Sequence, residues 1–235
     1  LGVGLVVEHA GPAAPGNTHA WARDVRYDAG VALAQRNDAA LAVAHTETDQ
    51  LETILYRLAS SPGRRALLGM AVRRGRIVRP LLAARVTRAE TEAFCRENGL
   101  SWRDDASNLD PSYARTRVRE QLLPAFLAVD DRARENVLRT AELLRAEGEV
   151  LDELVETFLA GRDHVGRDEL RALSPALARL VIRTLAERVT GSGGARAASR
   201  IDDVLALDEG LLDLGDGARV EVRRGTVRFI SSPSG

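Results

Sequence analysis

The residues best suited to chemistry lie in one short segment, Ala44-His45-Thr46-Glu47-Thr48-Asp49-Gln50-Leu51-Glu52-Thr53. If the part after His45 is helical, Asp49 and Glu52 stand three residues apart on one face. Two adjacent carboxylates of this kind can hold an amine. The same residues also have a purely structural reading. In it Thr46 caps the helix, Asp49 closes a capping box, Glu52 is solvated, and His45 is a packed residue at a strand end.

The flanking pattern says what must position them. Ala40 to Ala44 is a short run of small and apolar residues, expected as a parallel strand buried on both faces. Leu51, Ile54, Leu55 and Leu58 follow at helical spacing, and Ser60-Ser61-Pro62-Gly63 stops that helix. His45, Asp49 and Glu52 thus fall at the carboxyl end of a strand, where open α/β sheets bind ligands. Upstream, Gly4 to His9 reads as a strand and Gly11 to Gly16 as a loop. Asn17 or Thr18 then caps a helix with Trp21, Val25, Ala29 and Leu33 on its apolar face. Strand, helix, strand, helix is the order of an α/β protein.

Downstream, Arg74-Gly75-Arg76 reads as a turn into an extended Ile77 to Pro80. Thr87 with Glu90 signals a capped helix ending near Asn98-Gly99, and a polar loop runs from Arg103 to Asp110. Asp131 to Ala160 places Val137, Ala141, Leu144, Leu151, Val155 and Phe158 on one seam of a long helix, interrupted only by Gly148. Ser174-Pro175 opens a further helix that ends in the glycines after Gly191. Residues 212–214, 218–222 and 226–230 alternate around glycine turns, as in a β meander. The expected division is 1–129, an α/β domain, and 130–235, a mostly helical domain with terminal strands.

Composition narrows the function. The 235 residues suffice for two cores, and 45% apolar with 29% charged residues is ordinary for a globular protein. With no signal-like start and no long apolar run, a cytoplasmic location is expected. The one cysteine, Cys95, can form neither an internal disulfide nor a thiolate metal cage. All 33 basic residues are arginine, and the net charge of -1 hides their placement. Between Thr53 and Ala89 there are nine arginines and no acid, so a nucleic-acid footprint is expected in the first half of the chain.

The segment from His45 to Thr53 is similar to the His-x-x-Asp-Asp-Gln-x-Glu-Thr signature of the tRNA(Ile)-lysidine synthetases, which are PP-loop ATP pyrophosphatases. Further resemblances follow in the family's order. They are Asn17 with Ala22-Arg23 and Arg26-Tyr27, Leu68-Gly69-Met70, Arg79-Pro80-Leu81-Leu82, Arg88-Ala89-Glu90, Asp105-Ala106-Ser107-Asn108, and Arg115-Thr116-Arg117-Val118-Arg119 before Leu122-Leu123-Pro124. Thr48, Ala106 and Thr116 depart from the pattern. The family's Ser-Gly-Gly-x-Asp-Ser loop does not occur in these residues, and Ser192-Gly193-Gly194 lacks the Asp-Ser that should follow. A chain that opens in a strand without that loop is expected to be a fragment without turnover of its own.

The resemblance implies a partial Rossmann-like domain of the adenine nucleotide alpha hydrolase type at 1–129 and a helical tRNA-binding domain at 130–235. It implies a reaction in which ATP, with Mg2+, adenylates the C2 oxygen of the wobble cytidine of a tRNA(Ile) with a CAU anticodon, after which the side-chain amine of L-lysine displaces AMP. Asp49, Glu52 and His45 match the catalytic positions, and Arg23 and Arg26 match those for ATP and the adenylate. Arg79, Arg115, Arg117 and Arg119 are implied in tRNA binding, with Asp105, Ser107 and Asn108 in the cytidine pocket. Members of the family often dimerise, so a homodimer is one expected state. Two rival functions are a non-catalytic RNA-binding remnant and another PP-loop tRNA-modifying enzyme. Thiolation of cytidine within that second class wants paired cysteines, which Cys95 alone does not supply.

Overall fold

A computed structural model describes residues 4–12, 18–61, 63–102, 110, 112–191, 200–215 and 217–231. The chain divides into two compact units, Leu1–Leu144 and Arg145–Gly235. Asn17, Asp105, Ser107 and Asn108 lie outside the described residues.

In the first unit, α1 (Thr18–Arg36) leads to β1 (Leu41–Ala42), α2 (Glu47–Ser60) and α3 (Arg64–Leu67), followed by β2 (Arg73–Arg74), β3 (Ile77–Val78), α4 (Pro80–Ala83) and α5 (Arg88–Glu97). β1 pairs parallel to β3, and β2 pairs antiparallel to β3 across the Gly75 turn, so the strand order is β1-β3-β2. Both capping boxes form. Thr46 and Asp49 close α2, and Thr87 and Glu90 close α5, because each threonine hydroxyl satisfies an otherwise orphaned helix N–H.

Three expectations need correction here. Residues 4–12 are exposed and form no strand, since a strand needs a ladder partner and none of the described strands pairs with them. The Ala40 to Ala44 run is not buried on both faces: Leu41 is half-buried and Ala42 exposed, β1 pairing among the described residues with β3 alone. Leu58 is 59% exposed, whereas Leu51 and Leu55 pack with Val118, Leu123 and Leu138. Leu58 stands one turn too far along α2 to share that contact.

The helical stretch after Tyr113 is interrupted for a local reason. It runs as α6 (Ala114–Arg117), a π-helical segment (Val118–Leu122) and α7 (Leu123–Leu127). Pro124 has no N–H to donate to the carbonyl four residues back, and its ring crowds that carbonyl. The chain widens instead, with the Leu123 N–H bonding to the Val118 carbonyl. Arg119 sits on the widened turn.

The long helix α8 (Ala133–Leu159) forms as its seam predicts, with Ala141 and Val155 buried and Gly148 buried between them. In the second unit it is followed by β4 (His164–Gly166), α9 (Arg167–Ala172), α10 (Pro175–Thr190), α11 (Ile201–Ala206), β5 (Gly210–Gly215), β6 (Ala218–Arg223) and β7 (Thr226–Ser231). The meander β5-β6-β7 gains β4 on the far side of β7, giving an antiparallel sheet in the order β4-β7-β6-β5. Three residues are too few to show a strand period. On α10, Ala178, Val181, Ile182, Leu185 and Ala186 are buried at helical spacing, and Ala218, Val220, Val222, Val227 and Phe229 alternate inward from β6 and β7.

Candidate active site

The first unit gathers its functional side chains around the start of α2. His45 lies just beyond β1, whose backbone is tied to β3 by the Val43 N–H to the Val78 carbonyl at 2.9 Å. Arg79, at the end of β3, is buried and donates through Nε to His45 Nδ1 at 3.2 Å and through Nη1 to the Ala71 carbonyl at 2.7 Å. An arginine only donates, so Nδ1 is the acceptor and a neutral His45 carries its proton on Nε2. Burial pushes the His45 pKa below its ordinary value. Asp49 opposes that shift, and Arg79, Arg115 and Arg26 reinforce it.

Asp49 and Glu52 do share a region, but not as two free carboxylates. Asp49 Oδ2 accepts from the Thr46 N–H and hydroxyl, both at 2.8 Å. Glu52 is buried and takes a two-pronged pair from Arg119, Nε to Oε1 at 2.6 Å and Nη2 to Oε2 at 2.8 Å. The bond to Glu52 is the main cause that raises the Arg119 pKa. Asp49 Oδ1 lies 3.8 Å from Arg119 Nη2. Glu52, expected on a solvated face in the structural reading, is therefore an interior ion pair, while the capping role of Asp49 in that reading is real.

Two adjoining cavities open from these residues. The smaller, about 150 Å³, is lined by His45, Asp49, Glu52, Thr53, Met70, Arg115, Thr116 and Arg119. The larger, about 920 Å³, shares His45, Thr53, Met70 and Arg115, and adds Arg23, Arg57, Arg74, Arg76 and Arg79 along with Tyr27, Asp24 and Asp28 of α1. One chamber is suited to a cation at Asp49 Oδ1, the oxygen outside the capping box. The other is suited by its guanidinium groups to a polyanion.

Of the sequence-predicted residues, His45, Asp49, Glu52, Arg115 and Arg119 converge on the small cavity, and Arg23 and Arg79 on the large one. Arg26 is exposed and reaches the site as a charge acting on His45. Arg23 is exposed and pairs with its neighbour Asp24 at 3.2 Å. Arg117 is exposed, donates to the Ser112 carbonyl at 2.8 Å, and lines neither cavity. Among the described residues, no group of three or more His, Cys, Asp or Glu side chains is placed to hold a metal ion.

A clamp from α2 holds the loop of Met70, which lines both chambers. Buried Gln50 accepts from the Met70 N–H at 2.7 Å and donates to the Met70 carbonyl at 3.0 Å, and Arg57 donates to the Gly69 carbonyl at 2.7 Å. Gly69 has φ +61°, and a Cβ there would lie 2.6 Å from the Gln50 amide, so this loop admits only glycine. Arg57 was findable: Asp49, Thr53 and Arg57 recur every fourth residue on α2.

Comparison with known proteins gives a consistent set of relatives. Residues 3–126 match the family model described as PP-loop domain. The chain is 37% identical to a tRNA(Ile)-lysidine synthase of Salinispora arenicola, over 92% of this chain and 69% of that protein. It is 35% identical to the one of Leifsonia xyli, over 97% of this chain and 72% of that protein. To the one of Pseudomonas fluorescens it is 42% identical, over 59% of this chain and 31% of that protein.

Proposed function

This chain belongs to the tRNA(Ile)-lysidine synthase family of PP-loop proteins, and from that premise we propose that it serves the ATP-dependent joining of L-lysine to the wobble cytidine of a tRNA(Ile) with a CAU anticodon. The observation that carries the reading is the pairing of a chamber that holds the carboxylates Asp49 and Glu52 with an arginine-lined one across the shared residues His45, Thr53, Met70 and Arg115. A reaction between an amine and a phosphate-activated base needs both charges within reach of one centre.

The lysine ammonium binds at Asp49 Oδ1 in the small chamber. Its pKa is about 10.4 in water, so a proton must leave as the amine attacks C2 of the cytidine and the bond from C2 to the adenylated oxygen breaks, releasing AMP. Asp49 is the acceptor. Glu52 has both oxygens engaged by Arg119, and neutral His45 presents an N–H at Nε2. Glu52 orients Arg119, while Arg23 and Arg79 in the large chamber serve ATP and the tRNA. Mg2+ accompanies the ATP, and the region from residue 130 on handles tRNA. The working enzyme is a homodimer in the cytoplasm.

The test is incorporation of labelled lysine into tRNA by the full-length gene product. Wild type incorporates label with ATP present, while Asp49→Asn and Glu52→Gln lose at least about a hundredfold in rate. Full incorporation by Asp49→Asn would remove the site assignment. Lysine-independent binding of RNA with no incorporation would replace the enzyme with an RNA-binding protein.

A further inference from the structure

Two of the arginines in the large chamber have no role in the reaction as described. Arg57 comes from α2 and Arg74 from β2, and with Arg115 of α6 they reach the same cavity from three separate parts of the chain. We propose that Arg57, Arg74 and Arg115 form a binding site for a backbone phosphate of the RNA substrate beside the reacting nucleotide, an inference that rests on the tRNA-modifying reading above.

The other arginines of the chamber already have partners within the fold. Arg23 pairs with Asp24, Arg76 pairs with Asp38 at 3.1 Å and donates to the Ala39 carbonyl, and Arg79 holds His45 and Ala71. Among the described residues, none of Arg57, Arg74 and Arg115 has a carboxylate within salt-bridge distance. Arg57 gives one N–H to Gly69 and keeps donors on its other nitrogens. Burial and the like charges of Arg115, Arg74 and Arg79 lower the Arg57 pKa. A guanidinium stays charged in a protein, so that repulsion persists until an anion relieves it.

Asp24 and Asp28 of α1 also line the cavity and repel an anion, which confines it to the arginine corner. The basic field then leaves the chamber. Arg73 beside Arg74 and Arg117 beside Arg115 are both exposed, a spread that suits a chain of phosphates better than one small anion. Phosphate contacts of this kind set the register of the substrate without reading its sequence.

The experiment measures binding of a fluorescent anticodon stem-loop RNA with a CAU loop, and separately of ATP, to the full chain across a range of salt. Arg74→Ala is the cleaner variant because the Arg74 side chain holds no backbone group among the described residues; Arg57→Gln is its companion, and thermal melting checks that both fold. Each variant weakens RNA binding about fivefold and lowers the salt slope by about one, with ATP affinity unchanged. Wild-type affinity and slope in Arg74→Ala would overturn the site even if Arg57→Gln were misfolded. Loss of ATP binding with RNA binding intact would overturn it in favour of a free nucleotide as occupant. Wild type that binds RNA like both variants removes this inference alone; wild type that binds no RNA removes the tRNA-modifying reading with it.

Discussion

The interiors of the two units are built from different materials. In the second unit the buried side chains form one apolar cluster running from Val155 to Phe229, contributed by α8, α9, α10, α11 and all four strands of the sheet. Among the described residues of the first unit, the buried apolar cluster is Leu51, Leu55, Val118, Leu123 and Leu138, with Tyr56, Phe126, Leu127 and Val137 packed at its edge. Beside it lie the buried polar residues Thr46, Glu47, Gln50, Glu52, Thr53, Arg79 and Thr116, all within residues 46–116. One unit is held by the exclusion of water, which is indifferent to direction. The other is held by bonds that work only in one geometry. A charged interior contributes little net stability but orients charge where chemistry needs it.

The contrast can be broken by mutation, and the largest effect belongs to the apolar unit. Phe229→Ala should cost about 4 kcal/mol in urea denaturation, because a large buried side chain is removed from a packed core. A loss under about 1 kcal/mol would mean that this interior is looser than its burial implies. Next is Arg119→Leu, which strands the Glu52 carboxylate indoors and should cost about 3 kcal/mol. Adding Glu52→Leu should restore most of that. If the double variant is as unstable as the single, the pair is a net source of stability and the contrast between the units weakens.

Gln50→Leu should cost about 2 kcal/mol by leaving the Met70 N–H and carbonyl without their partner, and hydrogen exchange should speed up at Gly69 and Met70. Thr46→Ala should cost about 1 kcal/mol through loss of the α2 cap. The smallest effect is on pH dependence. His45 has a folded pKa below its ordinary 6.5, so as pH falls the unfolded chain takes up the proton first. Its contribution to stability is complete above about pH 6.5 and declines as pH drops below that toward the folded pKa. His45→Gln should flatten the melting temperature over that range, and an unchanged pH profile would count against a neutral, half-buried His45.

Legibility in the sequence followed the same division. Period and caps are local, so α10 opening at Ser174-Pro175, the capping boxes at Thr46 and Thr87, the α8 seam and the three-strand meander could all be read from neighbours. The small strand β4 could not, because its identity lies in its pairing with β7. Asp49, Glu52 and His45 were visible as candidates by type and spacing, but their states were not. Arg119 stands 67 residues from Glu52 and Arg79 stands 34 from His45. No window of sequence contains both members of either pair.

The sequence by itself determined several of the elements and which residue types are available: a helix opening with Thr46 and carrying Asp49 and Glu52, a run of arginines without acids, a single cysteine that can form neither an internal disulfide nor a thiolate metal cage. Only the tertiary structure decided how those charges are spent. Glu52 closes on Arg119, Asp49 keeps one oxygen outside its capping box, and Arg57, Arg74 and Arg115 line one cavity with no salt-bridge partner among the described residues. The physical reason is range. Hydrophobic period and capping are set within a turn or two of chain, whereas the balance of a buried charge depends on whichever distant side chains the fold brings to it.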